Sequence, residues 1–347
     1  MIKHTIKGGT GDSMLLIGES FENVMAYIPD STQVVFITDD TVWKYYGPNF
    51  PTGDVIKIGT GESIKTLDTV RYIYGELLNR KADRSTCIVG VGGGIVCDIT
   101  GFVASTYMRG LRFGYVSSTL LAQVDASVGG KNGVNFNGYK NMVGVFNQPE
   151  FVICDFGLLK TLPKRELCCG FAEIIKTAAI ADEKLFSYLE QYSDKAMGLD
   201  PVIIEKLVSE SVLIKSEVVN KDEKEMGDRR KLNFGHTFGH AIEQAMGIPH
   251  GEAISIGMVI ASALSVRIGG LSKKSADRIS ELLSKFKLPT TLQGNWKPIF
   301  GALEKDKKKT GQGIHFVLLS DIGKAEIRKI LIDELISLAR RLELFPE

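Results

Sequence analysis

Ile88-Val-Gly-Val-Gly-Gly-Gly-Ile-Val-Cys-Asp98 decides the architecture of this chain. A β-branched apolar run enters a glycine turn, and a helical pattern starts directly after it. Consecutive glycines let backbone N–H groups approach a phosphate, and the N-terminus of the following helix favours the anion. The spacing departs from the G-x-G-x-x-G fingerprint, so a tight strand–helix turn without a ligand stands beside the nucleotide reading. Asp98 suits either a first-turn carboxylate favoured by the helix dipole or a ligand contact.

Working outward, Gln33–Thr38, Val55–Ile58, Cys87–Val91, Phe113–Val116 and Phe151–Cys154 read as strands. Helical patterns at Glu62–Asn79, Ile95–Met108 and Leu120–Val128 lie between them. Strand and helix in alternation predict a parallel sheet with crossover helices. After Phe156 the pattern turns helical: Lys164–Ile180, Glu183–Tyr192, Val202–Asn220, His236–Met246, Glu252–Ile268 and Ser275–Phe286. One strand, Ile314–Leu319, and a helix from Ile332 follow. The expected organisation is an α/β domain over residues 1–155 and a mostly α-helical one over 156–347, and clefts between such domains favour ligands.

The chain has 347 residues, 44% hydrophobic and 24% charged, which is too long for one comfortable core. With 42 basic against 41 acidic residues, bulk charge recommends no nucleic-acid or membrane-surface partner. Five cysteines sit mostly in apolar runs, and adjacent Cys168-Cys169 lacks the gap of a metal knuckle. The Met1–Lys7 segment carries no apolar signal stretch, and the apolar run Ala253–Ile268 is short of a membrane span. A reduced, cytoplasmic protein is the expectation.

Cations concentrate locally. Lys131 and Lys140 fall in glycine-rich segments read as anion-binding turns, and Lys176 follows Glu173 by one helical turn. Lys215, Arg229 and the Lys305–Lys309 run add more charge. For any one lysine, a solvated surface role is the ordinary expectation.

Three of the five histidines, His236, His240 and His250, fall within Leu232-Asn-Phe-Gly-His-Thr-Phe-Gly-His-Ala-Ile-Glu243 and the nearby Pro249-His-Gly-Glu-Ala253. Imidazole is the commonest metal ligand and the natural proton carrier near neutrality. Capping or packing is the alternative for such a pair. Geometry leaves convergence open. A helix from His236 to Met246 spans about 15 Å. The return to His250 covers at most about 13 Å, so the helix must end early or the return run nearly straight.

Six blocks in one order now carry a resemblance: GVGGGIVCD, STLLAQVDASVGGKNGVN, YKNMVGVFNQP, LPKRELCCGFAEIIK, LNFGHTFGHAIE and HGEA. Together they resemble the 3-dehydroquinate synthase family from about Thr38 to Lys309. The resemblance implies a Rossmann-like NAD-binding N-terminal domain, a helical metal-binding C-terminal domain, zinc or cobalt, and a homodimer. It implies conversion of 3-deoxy-D-arabino-heptulosonate 7-phosphate to 3-dehydroquinate and phosphate, a step of the shikimate pathway leading to aromatic amino acids.

Position by position, the resemblance implies Glu173, His236 and His250 as metal ligands and His240 as the proton relay. Arg109, Lys131, Asn141, Lys176, Lys215, Arg229 and Asn233 match substrate positions, with one of Lys307 and Lys308. NAD positions are Asp39, Glu62, Lys65, Gly93, Gly94, Asp98, Ser118 and Thr119, while Asp125, Lys131 and Lys140 match the junction of cofactor and substrate.

The implied cycle is redox-neutral: NAD takes a hydride, phosphate leaves by β-elimination, the hydride returns, and an aldol attack closes the carbocycle. A substrate bearing carboxylate and phosphate explains cations in a nearly neutral chain. The alternatives are a sibling sugar-phosphate cyclase, a metal-dependent polyol dehydrogenase and a regulatory NAD-binding module. Arg109, Asn141, Arg229, Asn233 and His240 together favour the dehydroquinate reading over the sibling. Polyols need no multi-lysine anion site, and a regulatory module leaves the Glu173/His236/His250 set unexplained.

Overall fold

The computed structural model describes residues 1–292, 296–310 and 313–342. The side chains of 305–310 fall outside that description, so Lys307 and Lys308 lie outside the described residues. Two compact units emerge, one of residues 1–166 and 204–223, the other of 167–203 and 224–347. The division therefore falls at Glu166/Leu167, later than 155/156, and returns 204–223 to the first unit.

In the first unit the strands are β1 (Ile2–Gly8), β2 (Gly11–Ile17), β3 (Val34–Thr38), β4 (Asp54–Lys57), β5 (Cys87–Gly92), β6 (Arg112–Ser117), β7 (Lys131–Phe136), β8 (Tyr139–Phe146) and β9 (Phe151–Cys154). Helices α1 (Asp40–Tyr46), α2 (Leu67–Asn79) and α3 (Gly94–Thr106) connect them. A seven-stranded sheet runs β1-β2-β9-β6-β5-β3-β4, parallel except for the β1–β2 pair. Every residue of β3, β5 and β9 is buried, which is why these strands read as continuous apolar runs and not as alternation. Leu16, Phe36, Val89, Val116 and Ile153 bring five strands into one core beside Phe21 and Val24.

Chain direction across the sheet reverses at β3 and β5. From β3 the chain steps outward to β4, and from β5 it steps the other way to β6. The carboxyl ends of β3 and β5 thus form a topological switch point, where open α/β sheets bind ligands.

Two features depart from expectation. Residues 120–128 hold a π-helical turn, Ala122–Ala126, in place of an ordinary helix. Lys131 and Lys140 lie on strands, since β7 and β8 form an antiparallel hairpin and not anion-binding turns. Its turn is Asn137-Gly138, both with positive φ (48° and 79°), as a tight type I′ connection requires. That Asn-Gly pair was the available signal.

The second unit is built on α4 (Lys164–Ala181), α5 (Glu183–Met197), α7 (His236–Met246), α8 (His250–Leu264), α9 (Lys273–Lys285), α10 (Lys297–Thr310) and α11 (Ile332–Arg340). Helix α6 (Pro201–Lys221) contributes most of its length to the first unit. A hairpin of β10 (Gly313–Asp321) and β11 (Lys324–Leu331) precedes α11. Among the described residues only 250–269 is long and apolar enough to cross a membrane, and 67% of that stretch is buried inside the molecule. It is a core helix.

Candidate metal and nucleotide sites

Helices α7 and α8 make an antiparallel hairpin. Gly247 ends α7 with φ 64°, and α8 begins at His250 immediately after Pro249. The pair packs backbone to backbone, because a Cβ on Gly257 would fall 2.0 Å from the Gly235 carbonyl oxygen. Gly251 approaches α4 equally closely, with its Cβ position 2.3 Å from Cys169 Cα. One turn after Cys169, α4 presents Glu173.

This packing answers the question of convergence. Helix α7 does not end early, since it runs from His236 to Met246. The His250 side chain meets the Glu243 side chain, and its imidazole lies at a ring-centroid distance of 5.5 Å from His236 and 5.8 Å from His240. His236 and His240 rings lie 5.1 Å apart.

Glu173 Oε1 is buried and has no hydrogen-bond partner. Two imidazole nitrogens face it, His250 Nε2 at 3.5 Å and His236 Nε2 at 3.7 Å. The three donor atoms lie within 4.8 Å of one another. A tetrahedral centre with bonds of about 2.1 Å holds its ligands about 3.4 Å apart, so this oxygen and two nitrogens fit a divalent cation. Both rings are turned correctly. His236 Nδ1 lies 3.2 Å from the Phe234 carbonyl, which can only accept, so Nδ1 carries the proton and Nε2 the lone pair.

Lys176 Nζ contacts the other Glu173 oxygen, and both side chains are about 1% exposed. Burial opposes ionisation of Glu173, but Lys176 and the two histidines outweigh it and hold the carboxyl well below its usual range. Burial, then Lys176, keeps His236 neutral. Burial also opposes a charge on His250, yet Glu173 and Glu243 together carry its pKa up to about 9. Arg229 is buried nearby in sequence, and Asn233 donates to Glu225. His240 is exposed on the same α7 face as His236.

In the first unit the switch point carries the expected nucleotide residues. Asp39 follows β3 and caps α1 through Val42 N at 2.8 Å; Gly93 and Gly94 follow β5; Ser118 and Thr119 follow β6. Gly93 caps α3 without a side-chain hydrogen bond, which leaves the first-turn N–H groups for a ligand. Around that end the backbone is tight, since a Cβ on Gly94 would meet Ala126 at 2.8 Å. These residues fit a bound pyrophosphate.

Lys65 Nζ bonds Asp98 Oδ2 at 2.5 Å and Asn141 Oδ1 at 2.6 Å. Burial raises the Asp98 carboxyl above its ordinary pKa against the pull of Lys65. Asn135 ties the β7–β8 hairpin to this segment: its side chain donates to Glu62 at 2.8 Å and accepts from Asn141 N at 2.9 Å. Lys140 lies 3.7 Å from Glu62. Lys215 Nζ bonds both the carboxylate and the carbonyl of Asp125 at 2.6 Å.

The surface expectation for single cations fails at four positions, for Lys65, Lys176, Lys215 and Arg229 are buried. Buried charge is retained where it is paired or used. Lys131 and Lys140 are exposed. Arg109 stands apart: it follows α3 and precedes β6, at the amino-terminal end of the strands, opposite the end that carries Gly93 and Gly94. It takes a left-handed backbone (φ 70°) next to left-handed Met108 (φ 49°), two strained residues in a row. The sequence reading missed Asn135, Glu225 and Glu243. Only Glu243 had a signal, as the third member of the His236, His240, Glu243 face at i, i+4 and i+7.

Comparison with known proteins agrees on one family. The 3-dehydroquinate synthase N-terminal family matches residues 55–169 and the 3-dehydroquinate synthase C-terminal family matches 170–309. A 3-dehydroquinate synthase of Campylobacter concisus (strain 13826) is 45% identical over 278 residues, 79% of either chain. One from Dehalococcoides mccartyi (strain CBDB1) is 42% identical over 311 residues, covering 86% of this chain and 87% of its own. Among solved structures, 2-deoxy-scyllo-inosose synthase complexed with carbaglucose-6-phosphate, NAD+ and Co2+ superposes with TM-score 0.85 at 28% identity, covering 98% of this chain and 99% of that one. The 2-epi-5-epi-valiolone synthase of Streptomyces hygroscopicus subsp. jinggangensis 5008, with NAD+ and Zn2+, gives 0.86 at 26%, covering 97% and 98%. A probable glycerol dehydrogenase from Sinorhizobium meliloti 1021 shares the fold alone, at 15% identity and TM-score 0.66.

Proposed function

Because the chain belongs to the 3-dehydroquinate synthase family, we propose that Glu173, His236 and His250 hold its divalent metal and that the switch point at β3 and β5 holds its NAD. The enzyme converts 3-deoxy-D-arabino-heptulosonate 7-phosphate to 3-dehydroquinate and phosphate. The observation that carries the site assignment is the buried Glu173 oxygen without a hydrogen bond, faced by two imidazole nitrogens.

When bound, the metal would supply Lewis-acid polarisation of the substrate's secondary hydroxyl, and NAD would supply a hydride acceptor regenerated within the cycle. The chain's own groups do the rest. His240, exposed beside His236, accepts the hydroxyl proton and passes it to solvent. Lys176 and Arg229, both buried, supply fixed positive charge for substrate oxygens without the reorganisation that water would need. Lys131, Asn141, Lys215 and Asn233 complete the substrate contacts, with Asp125 holding Lys215 in place. Asp39, Glu62, Lys65, Gly93, Gly94, Asp98, Ser118 and Thr119 bind the nucleotide, with Lys140 beside Glu62.

A homodimer belongs to the same reading. What supports it is Arg109, a substrate-binding position by family match that its own chain carries at the amino-terminal end of the sheet's strands, opposite the glycine turn. A second copy can deliver it. The protein is cytoplasmic on this reading, supported by its five free cysteines.

The test follows phosphate release and 340 nm absorbance together, with zinc, catalytic NAD and the heptulosonate phosphate. Many turnovers of phosphate without net NADH are expected. NADH accumulating on a polyol with no phosphate released would move the assignment to a dehydrogenase. Silence in both channels would direct attention to a sibling cyclase and another sugar phosphate.

A further inference from the structure

We infer that Glu243 is a positioning residue that fixes the tautomer and orientation of His250 for metal binding. Glu243 Oε2 lies 3.1 Å from His250 Nδ1, and the Glu243 side chain is only 11% exposed. An ionised carboxylate can only accept, so Nδ1 keeps its proton and Nε2, which faces Glu173, is the nitrogen left for a metal.

The two histidines are not held alike. His236 is anchored by a main-chain carbonyl and its side chain is 11% exposed. His250 is the first residue of α8, its side chain is 28% exposed, and its cap Pro249 supplies no side-chain bond. Its ring is the looser of the two, and Glu243 is the tether. The same face suggests a rival role, because His240, Glu243 and His250 also bring donor atoms within 4.8 Å of one another. A metal taken there through His250 Nδ1 would need that nitrogen stripped of its proton, whereas the hydrogen bond to Glu243 uses it as it stands.

The inference rests on the metal assignment to Glu173, His236 and His250, and the experiment separates the two. Zinc affinity is measured on metal-free protein by competition with a chromophoric chelator, with metal content per chain and the metal-free melting temperature as controls. Glu243→Ala and the bulk-conserving Glu243→Met are expected to weaken zinc binding about 10- to 100-fold. Glu243→Gln, whose amide oxygen still accepts from Nδ1, recovers part of that loss. Cobalt-loaded Glu243→Met shows a shifted visible spectrum.

Wild-type zinc affinity in both Glu243→Ala and Glu243→Met, with binding lost in Glu173→Ala and His236→Ala, overturns the inference and leaves the metal reading intact. Two ions per wild-type chain falling to one in Glu243→Ala also overturns it, since Glu243 would then be a ligand. Zinc ignored by wild type overturns the metal reading and the inference with it.

Discussion

Gly251 meets Cys169 so closely that a Cβ on the glycine would lie 2.3 Å from Cys169 Cα. That single crossing sets the start of α8 against α4 and places His250 within 3.5 Å of Glu173, a residue far away in sequence. The obstruction is main chain on the α4 side, so a side chain at 251 can be admitted only by a backbone shift. Gly251→Ala is expected to cost about 2–3 kcal/mol of stability by overpacking. It should also lower zinc affinity more than tenfold. Thermal melts and chelator competition check both, and wild-type zinc binding in a destabilised Gly251→Ala protein would show that this contact does not set the ligand distance.

Metal uptake should depend on pH through one proton. In the metal-free protein Glu173 is already ionised and His236 already neutral near pH 7, while His250 is protonated up to about 9. Metal must therefore displace one proton, from His250. Apparent affinity is expected to rise about tenfold per pH unit between 7 and 8.5 and to flatten above 9. For the metal-free fold the sign is opposite. The raised pKa contributes stability present below about 6.5 and lost as pH rises through about 9. Calorimetric titration in buffers of different ionisation enthalpy counts the proton, and a count of zero sinks the prediction.

Lys65 is buried and its two partners are Asp98 and Asn141. Removing the carboxylate leaves a buried ammonium with one amide oxygen. Asp98→Ala is expected to lose about 3 kcal/mol in urea denaturation and to weaken NAD binding strongly. Zinc uptake should stay at the wild-type level, because every proposed ligand belongs to the other unit. Loss of zinc binding in Asp98→Ala would contradict that independence.

Arg109 offers a test of the homodimer by complementation. Arg109→Ala and His236→Ala chains, each inactive alone, are expected to regain activity when unfolded and refolded together. A mixed dimer carries one site with an intact metal set and an intact arginine from the other copy. No recovery, in a preparation shown by mass spectrometry to contain mixed dimers, would mean that Arg109 does not act across copies.

All five cysteines are free and buried, and burial first of all pushes the Cys87 and Cys154 thiols up to about 12. At pH 8 their thiolate fraction is near 10⁻⁴, on the order of a thousandfold below that of an unperturbed thiol. A disulfide reagent should consume five thiols quickly in urea and almost none in the native protein over the same minutes. Rapid native labelling would show that one of these residues is open to solvent.

Most of the architecture was legible because its signals are local. Parallel strands buried on both faces leave unbroken apolar runs, and α7 matches the helix read from sequence, His236–Met246. The β1–β2 and β7–β8 hairpins were harder: one is an edge ribbon with weak apolar content, and the other hides its strands among glycines and lysines that suggest turns. Helix α10 was missed because charge dominates its second half.

By itself the sequence determined the alternation that makes a parallel sheet, the glycine turn at the start of α3, and the face that His236, His240 and Glu243 share. Ordered motif blocks carried the family and the identities of the residues at its site. Tertiary structure alone decided that Glu173 meets His250, that Lys65, Lys176, Lys215 and Arg229 are buried, that Glu243 grips an imidazole, and that Arg109 lies at the opposite end of the strands from Gly93 and Gly94. Helical and strand periodicity fixes which side chains share a face within one element. Contacts between elements depend on how closely two backbones can approach, and here that distance is set by glycines such as Gly251 and Gly257, whose partners the local sequence does not name.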